Sequence, residues 1–235
     1  MKFQIIIPNY NQSDLCTKCL KSIKQYSHDY QVIFVDNGSE EKEFQKIYSV
    51  LKTIPHILVR NQENLGFVKA VNQGLKLSSA DYIVIMNNDT EAVKNWLDIL
   101  AAPMESDPLI AATGPRTTTP YSWQGCTDPG SSKVITLPPN SMLAFFCVMI
   151  RKSVIDQVGL LDEAFGIGFG DDDDYCARIQ KLGYVLAWCT DIIIPHHHRA
   201  TFKKLYSDKE IANMQQKNLQ IFLERRKSNF YDRRF

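Results

Sequence analysis

The chain has 235 residues, 44% of them apolar and 23% charged, with a formal net charge of +1. That length and balance suit one large or two small globular domains and give no general reason for a nucleic-acid partner. The longest apolar run, MLAFFCVMI (142–150), has nine residues, well short of the roughly 20 that a membrane-spanning helix needs.

The N-terminus, MKFQIIIPNYN, has one lysine and a short run ending at Pro8, with no small-residue cleavage site. It reads as a first strand, FQIII (3–7), and not as a signal peptide. A helix follows over 13–26. Its Cys16 and Cys19 form a C-x-x-C, a spacing used in redox and zinc sites. Here Leu15, Cys19, Leu20 and Ile23 make a helical apolar stripe and no second C-x-x-C follows, so core packing is the reading. Six cysteines in a chain this long do not make a disulfide scaffold. Cys147, Cys176 and Cys189 are expected as reduced core residues and the cytosol as the compartment. QVIFV (31–35) leads to a helix over 40–52, HILVR (56–60) to one over 67–77, and YIVIM (82–86) to one over 93–101. Strands alternating with helices in this way predict an α/β fold with a mainly parallel central sheet.

The pattern changes after Pro103. Residues 114–140 carry five prolines and runs of Thr and Ser, the composition of a long irregular segment. SMLAFFCVMIR (141–151) reads as a buried strand, then a helix over 152–158 ends at Gly159. A second helix runs from Asp171 towards Gly183, and YVLAW (184–188) and DIII (191–194) add short strands. Residues 207–227 read as an amphipathic helix, with Ile211, Met214, Leu219, Phe222 and Leu223 among polar neighbours. No repeat or low-complexity linker interrupts the chain. It reads as a single domain over 1–235: a nucleotide-type half (1–103), a more variable half (104–202) and a C-terminal helix with a basic tail (203–235).

Chemistry concentrates where strands end. The segment YIVIMNNDTE (82–91) breaks from an apolar run into Asn87, Asn88 and Asp89, and in open α/β sheets that edge is where ligands bind. Asp89 could hold a divalent cation against a phosphorylated substrate, because such metals take oxygen ligands and bind through one or two carboxylates plus phosphates. An Asx-rich loop opening the next helix is the plainer alternative. Polar turn residues also follow the first three strands, among them Tyr10, Asp36 and Asn61 to Gly66. A cleft so lined could grip a ribose and base through Asp36, with Pro8 to Tyr10 as a wall. No G-x-x-x-x-G-K-S/T and no G-x-G-x-x-G is present, so phosphates would need a metal where other proteins use a glycine cradle.

Four consecutive aspartates occupy 171–174. A solvated acidic turn is one reading. On a helix, at about 100° per residue, Tyr175, Cys176, Ile179 and Leu182 define an apolar face. Asp172 falls near its middle, Asp171 on its margin, and Asp173 and Asp174 point away, with Asp174 able to pair with Arg178 on the surface. Asp172 is then the inward carboxylate, ionised beside a helix N-terminus, as a general base requires. The run IPHHHRATF (194–202) offers one histidine of His196, His197 and His198 to a metal shared with Asp89, or else is a surface accident.

In their order and spacing, IIIPNYN, VDNGS, ENLGFVKAVNQGL, VIMNNDTE, GLLDEAFGIGFGDDDDYCARIQKLGY and HHHRATF resemble glycosyltransferase family 2, over roughly residues 3–202. The resemblance implies the GT-A fold and an enzyme that moves a sugar from a nucleotide-diphosphate donor, of UDP, dTDP or GDP type, with inversion. It assigns Pro8, Tyr10 and Asp36 to the nucleotide, with Asn64, Gly66, Lys69 and Asn88 nearby. It assigns Asn87 and Asp89 to a Mn2+ or Mg2+ site joined by His196, and Asp172 to the catalytic base. The acceptor expected is a glycan or lipid-linked saccharide, with Asp171 as a contact and with Trp123, in the Pro-rich loop, as either a sugar-stacking platform or a packing anchor. Asn87 departs from the family's usual carboxylate, and Phe145 stands where relatives carry a small residue, which would narrow the pocket.

From Arg199 to Phe235 there are ten Lys/Arg against four Asp/Glu. A basic amphipathic helix can sit on an anionic membrane surface, and a packed helix with a solvated basic face is the alternative. A cytoplasmic protein, at times on the inner face of a membrane, is the expectation. Three rival functions share some of these features. A sugar nucleotidyltransferase lacks its glycine-rich basic loop here. A non-catalytic sugar- or nucleotide-binding module would need neither an inward Asp172 nor the histidine. A zinc hydrolase would need a compact ligand set.

Overall fold

The computed structural model describes residues 1–120, 122–197 and 205–227. Four βα units come first: β1 (Phe3–Asn9), α1 (Ser13–Tyr26), β2 (Tyr30–Asp36), α2 (Glu41–Leu51), β3 (His56–Arg60), α3 (Phe67–Leu77), β4 (Tyr82–Met86) and α4 (Trp96–Ser106). Then follow β5 (Ile110–Thr117), the single turn α5 (Trp123–Cys126), β6 (Val134–Thr136), β7 (Cys147–Arg151), α6 (Lys152–Val158), a 3-10 turn (Glu163–Phe165), α7 (Asp171–Lys181), β8 (Val185–Ile194) and α8 (Asp208–Lys227).

The strands form one sheet in the order β3-β2-β1-β4-β7-β5-β8-β6. β1 pairs in parallel with both β2 and β4, while β7 is antiparallel to β4 and β5 and β6 is antiparallel to β8. β2–β3 and β5–β8 are also parallel, so four of the seven pairings are parallel: the helix-flanked sheet is parallel in its first half, as predicted, and mixed in its second. Alternation along β1 builds a core on each face. Phe3, Ile5 and Ile7 pack with Leu20, Ile23 and Trp96 on one side, and Ile6 packs with Val71, Val148 and Tyr175 on the other. Both faces being covered explains why these strands are continuous apolar runs. From β1 the chain winds outward through β2 and β3, then returns to place β4 on β1's other edge. The C-terminal ends of β1 and β4 thus flank a topological switch point, which positions the site.

Several boundaries differ from those predicted. α4 begins at Trp96 and runs past Pro103 to Ser106. The segment predicted as irregular from 114 contains the second half of β5 and all of α5 and β6. Residues 141–146 are not strand: the amide of Ala144 donates to the Gln124 side chain and that of Leu143 to the Cys176 sulfur, while Leu143, Phe145 and Phe146 are buried. Their apolarity comes from packing. The two predicted strands at 184–188 and 191–194 are one ten-residue strand, β8, irregular in register near Pro115. Cys16, Cys19, Cys147, Cys176 and Cys189 are buried free thiols, as expected. On α8 the predicted apolar stripe is only partly used: Ile211 is buried, but Leu219 and Leu223 are 54% and 43% exposed. Among the described residues, no helix is long and apolar enough to cross a membrane.

Candidate active site

The ends of β1 and β4 open into a cleft walled by Pro8, Tyr10, Asn64, Gly66, Asn87, Asn88 and Asp89. Seven of the predicted residues therefore meet in one place. Asn9, within the predicted Pro8–Tyr10 wall, and Asn37, at the end of β2, join them, and the unpredicted members are Phe67, Ile167, Leu205 and Tyr206. Asn9 and Asn37 carried a signal, since both sit at strand ends. Ile167, Leu205 and Tyr206 carried none, because only folding brings them to the cleft.

An amide network sets the floor. Asn88 donates to Asn9 Oδ1 at 2.6 Å, and Asn9 donates to Ser39 Oγ at 3.2 Å and Asp36 Oδ1 at 3.5 Å. Asn37 donates to Asn64 Oδ1 at 2.8 Å and accepts from Asn61 and the Leu65 amide, so it ties the loop after β3 to the end of β2. Gly66 takes a positive φ of 85° at the start of α3, and a Cβ there would lie 3.1 Å from Ile167 Cα. Only glycine allows both the turn and that approach.

Two residues expected on the donor side lie off the cleft wall. Asp36 is fully buried and off the cleft wall. Its carboxylate is held by Arg60 Nε at 3.2 Å, and its contact with the cleft runs through Asn9. Lys69 is exposed on α3 and does not line the cleft, because α3 turns that position outward.

Asp89 and His196 come together from opposite halves of the chain. His196 Nε2 lies 3.2 Å from Asp89 Oδ1, each side chain 8% exposed, and 3.5 Å from the Asn87 amide nitrogen. Backbone fixes the approach: Thr90 and His196 form an antiparallel bridge, the His197 amide donates to Asp89 O at 2.9 Å, and the His196 ring stacks on Phe146 at 5.1 Å. His197 instead faces Glu91 at 3.3 Å. His198, Thr201 and the rest of 198–204 lie outside the described residues. Among the described residues, no three His, Cys, Asp or Glu side chains converge as a complete metal cage. One carboxylate, one imidazole and one amide beside an open cleft nevertheless fit a divalent ion that takes its other oxygens from water and substrate phosphates.

The aspartates of α7 are arranged differently from the helical projection. Asp174 is fully buried, with Oδ2 2.9 Å from Nε of the buried Arg178 and Oδ1 3.4 Å from Arg225. It is a core ion pair and not a surface one. α8 and residues 158–162 cover the side of α7 that sequence alone leaves to solvent. Asp171 is also buried. Asp172 is half-buried and lines a second cavity with Asp173, Met142, Phe169, Gln215, Leu219 and Phe222. The loop 166–170 contributes Ile167 to the first cavity and Phe169 to the second.

Asp172 does not sit as an ordinary solvated carboxylate. Burial pushes its carboxyl well above the ordinary carboxylate range, and Asp171 and Asp173 push it further. Burial likewise raises Asp171 to about 7. A helix N-terminus offers an anion only about 0.3–1 kcal/mol at an exposed site, too little to offset burial among like charges.

Trp123 is a packing anchor rather than a wall of either cavity: its ring meets Trp188 edge-on at 5.0 Å and its Nε1 donates to Met142 sulfur at 3.3 Å. Phe145 is buried against Tyr175, 5.9 Å between centroids, so it fills core rather than narrowing a pocket.

A family model described as "Glycosyl transferase family 2" matches residues 4–159. The chain is 28% identical over 187 residues to the poly-beta-1,6-N-acetyl-D-glucosamine synthase of Staphylococcus aureus (strain MSSA476), covering 78% of this chain and 41% of that protein. It is 29% identical over 212 residues to glycosyltransferase AglE of Haloferax volcanii, covering 83% and 66%. The chain thus spans about two fifths to two thirds of these relatives' lengths. Among solved structures, the mannosyltransferase PcManGT from Pyrobaculum calidifontis, in complex with GDP-Man and Mn2+, superposes with a TM-score of 0.67 at 17% identity, over 83% of this chain and 56% of that one. Staphylococcus aureus TarS 1-349, in complex with UDP-GlcNAc, gives 0.66 at 17% identity, over 88% and 62%. These structures share the GT-A fold seen here. With two thirds of its length matched by the family model, the chain belongs to glycosyl transferase family 2.

Proposed function

We propose that this chain is an inverting glycosyltransferase, moving a sugar from a nucleoside-diphosphate donor to a hydroxyl of a saccharide or lipid-linked acceptor. The observation that carries this reading is the meeting of Asp89, His196 and Asn87 at the mouth of a cleft on the switch point. GDP-Man and UDP-GlcNAc in the two similar structures support a nucleotide-sugar donor, and Mn2+ in the first supports a divalent metal.

In this reading Pro8, Tyr10, Asn37 and Asn64 receive the nucleoside, with Asp36 orienting Asn9 from behind. Asn87, Asp89 and His196 would hold Mn2+ or Mg2+, which when bound supplies charge stabilisation to the departing diphosphate. Asp172 takes the proton of the acceptor hydroxyl as that oxygen bonds to the anomeric carbon. The bond from that carbon to the diphosphate breaks on the opposite face, so a single displacement inverts the centre. Burial and its neighbours make Asp172 a stronger base than an ordinary carboxylate, and transfer should gain rate as pH rises above the usual carboxylate range.

Calorimetric titration with UDP, GDP and dTDP, with and without Mn2+, tests the donor side. One nucleotide should bind, more tightly with metal, and the metal effect should vanish in Asp89→Ala. Binding of none would sink the proposal. One observation favours a second reading, a binding module without turnover: Asp172 lines a cavity other than the strand-end cleft. That reading predicts an Asp172→Asn variant indistinguishable from the parent in every assay.

A further inference from the structure

The loop 166–170, Gly-Ile-Gly-Phe-Gly, separates the two cavities and leads directly into the aspartates of α7. Four of its five residues have positive φ: Gly166 at 61°, Gly168 at 128°, Phe169 at 72° and Gly170 at 84°. For Phe169 this backbone region is disfavoured and persists only where surroundings hold it. The holder comes from the C-terminal helix. Asn218 is 5% exposed, and its side-chain amide donates to the carbonyls of Phe165 at 2.9 Å, Gly168 at 2.8 Å and Phe169 at 3.0 Å. Two N–H groups facing three carbonyls leave no slack. Two turns further along α8, Arg225 grips the segments on either side of the loop, reaching Asp162 at 3.0 Å and Asp174 at 3.4 Å, with its guanidinium 5.0 Å from the Phe165 ring centroid.

We propose that Asn218 is a positioning residue for the glycosyl transfer. It holds the 166–170 loop so that Ile167 closes the donor cleft while Asp172 is presented to the acceptor. This rests on the function proposed above and adds that α8, outside the segment matched by the family model, is part of the machinery without touching the reacting atoms. Within the loop the Gly168 amide turns back to the Phe165 carbonyl at 3.3 Å, and Asn218 is the side chain that gathers three of its carbonyls at once. Without the amide, Asp172 and the cleft wall keep their places on average but lose their fixed separation.

The test compares the full chain with Asn218→Ala and Asn218→Ser by hydrogen exchange of the 166–171 amides, nucleoside-diphosphate calorimetry and hydrolysis of UDP-, GDP- and dTDP-sugars, in which water takes the sugar in place of the acceptor hydroxyl and nucleoside diphosphate is released. Faster exchange confined to the loop is expected, as for local opening. Nucleotide affinity should stay within about twofold while kcat falls roughly 10- to 100-fold at constant KM, as for misplaced reacting groups. The serine variant, which keeps one donor, should fall between. Unchanged loop exchange in both variants overturns the proposal whatever the activity. So does altered exchange with unchanged kcat, or loss of nucleotide binding in parallel with kcat, which marks a merely structural residue. If alanine prevents folding, the serine variant carries the same criteria. If the parent releases nucleoside diphosphate from no sugar, the functional reading fails, while the exchange data still decide whether Asn218 clamps the loop.

Discussion

At the residue scale, the acidic start of α7 sets three side chains against one another. The folded state raises Asp171 from 3.8 to about 7, chiefly by burial. A carboxyl raised in the folded state holds its proton there and loses it when unfolded. Its contribution is therefore fully present below pH 3.8 and is lost as pH rises through about 7. Asp171→Asn should accordingly melt close to the parent near the acid end of that window and above it at pH 8; equal melting temperatures at both ends would refute the assigned burial cost. Asp172→Asn should keep nucleotide affinity and lower transfer by about 100- to 10,000-fold, the usual worth of a general base, as read by nucleoside-diphosphate release. Arg178 has a different duty. It pairs with Asp174 and caps the carbonyls of Val158 and Leu160 at 3.1 and 3.0 Å. Arg178→Met strands a buried carboxylate, normally a loss of about 3–5 kcal/mol. Arg225 still reaches Asp174, so urea unfolding should register the lower end of that range.

At the scale of elements, β1 and α3 hold the cleft's two walls at a fixed spacing through a packed seam in which Ile6 meets α3, and its tightest point is Gly74. A Cβ on Gly74 would come within 2.5 Å of the Ile6 side chain. Gly74→Ala should overpack this seam and cost about 1–3 kcal/mol in chemical denaturation, with a matching loss of nucleotide affinity if the α3 N-terminus moves. A variant as stable as the parent would show that the seam is slack. Of the first four strands, β1, β2 and β4 were legible as apolar runs because both faces are covered, while the half-buried edge strand β3 was legible from its β-branched and apolar HILVR. Residues 141–146 had the same apolarity and formed no strand, since Gln124 and Cys176 take their backbone hydrogen bonds. β5 was hidden because Ala111, Ala112, Thr113, Gly114 and Pro115 carry little of the β-branched bulk by which a strand is read.

Across the whole molecule, the cleft is assembled from both ends of the chain, so ligand binding and folding are linked. The matching nucleoside diphosphate at about 100 times its Kd should stabilise the protein by about 2.7 kcal/mol, a rise in melting temperature that Mn2+ enlarges and Asp89→Ala abolishes. No shift with any of UDP, GDP or dTDP would count against the donor cleft. The sequence by itself determined the α/β class, the parallel first half and the polar strand ends, because periodicity and turn chemistry act over a few residues. The order of its motifs was enough to mark the family. Only the tertiary structure decided that Asn37, and not Asp36, faces the cleft, that Asp174 is buried, and that Asn218 grips the loop beside α7. Each of these depends on which distant segment covers a side chain: Arg60 over Asp36, and α8 over α7 and the 166–170 loop. Local pattern carries no information about such partners, which exist only once the chain has closed on itself.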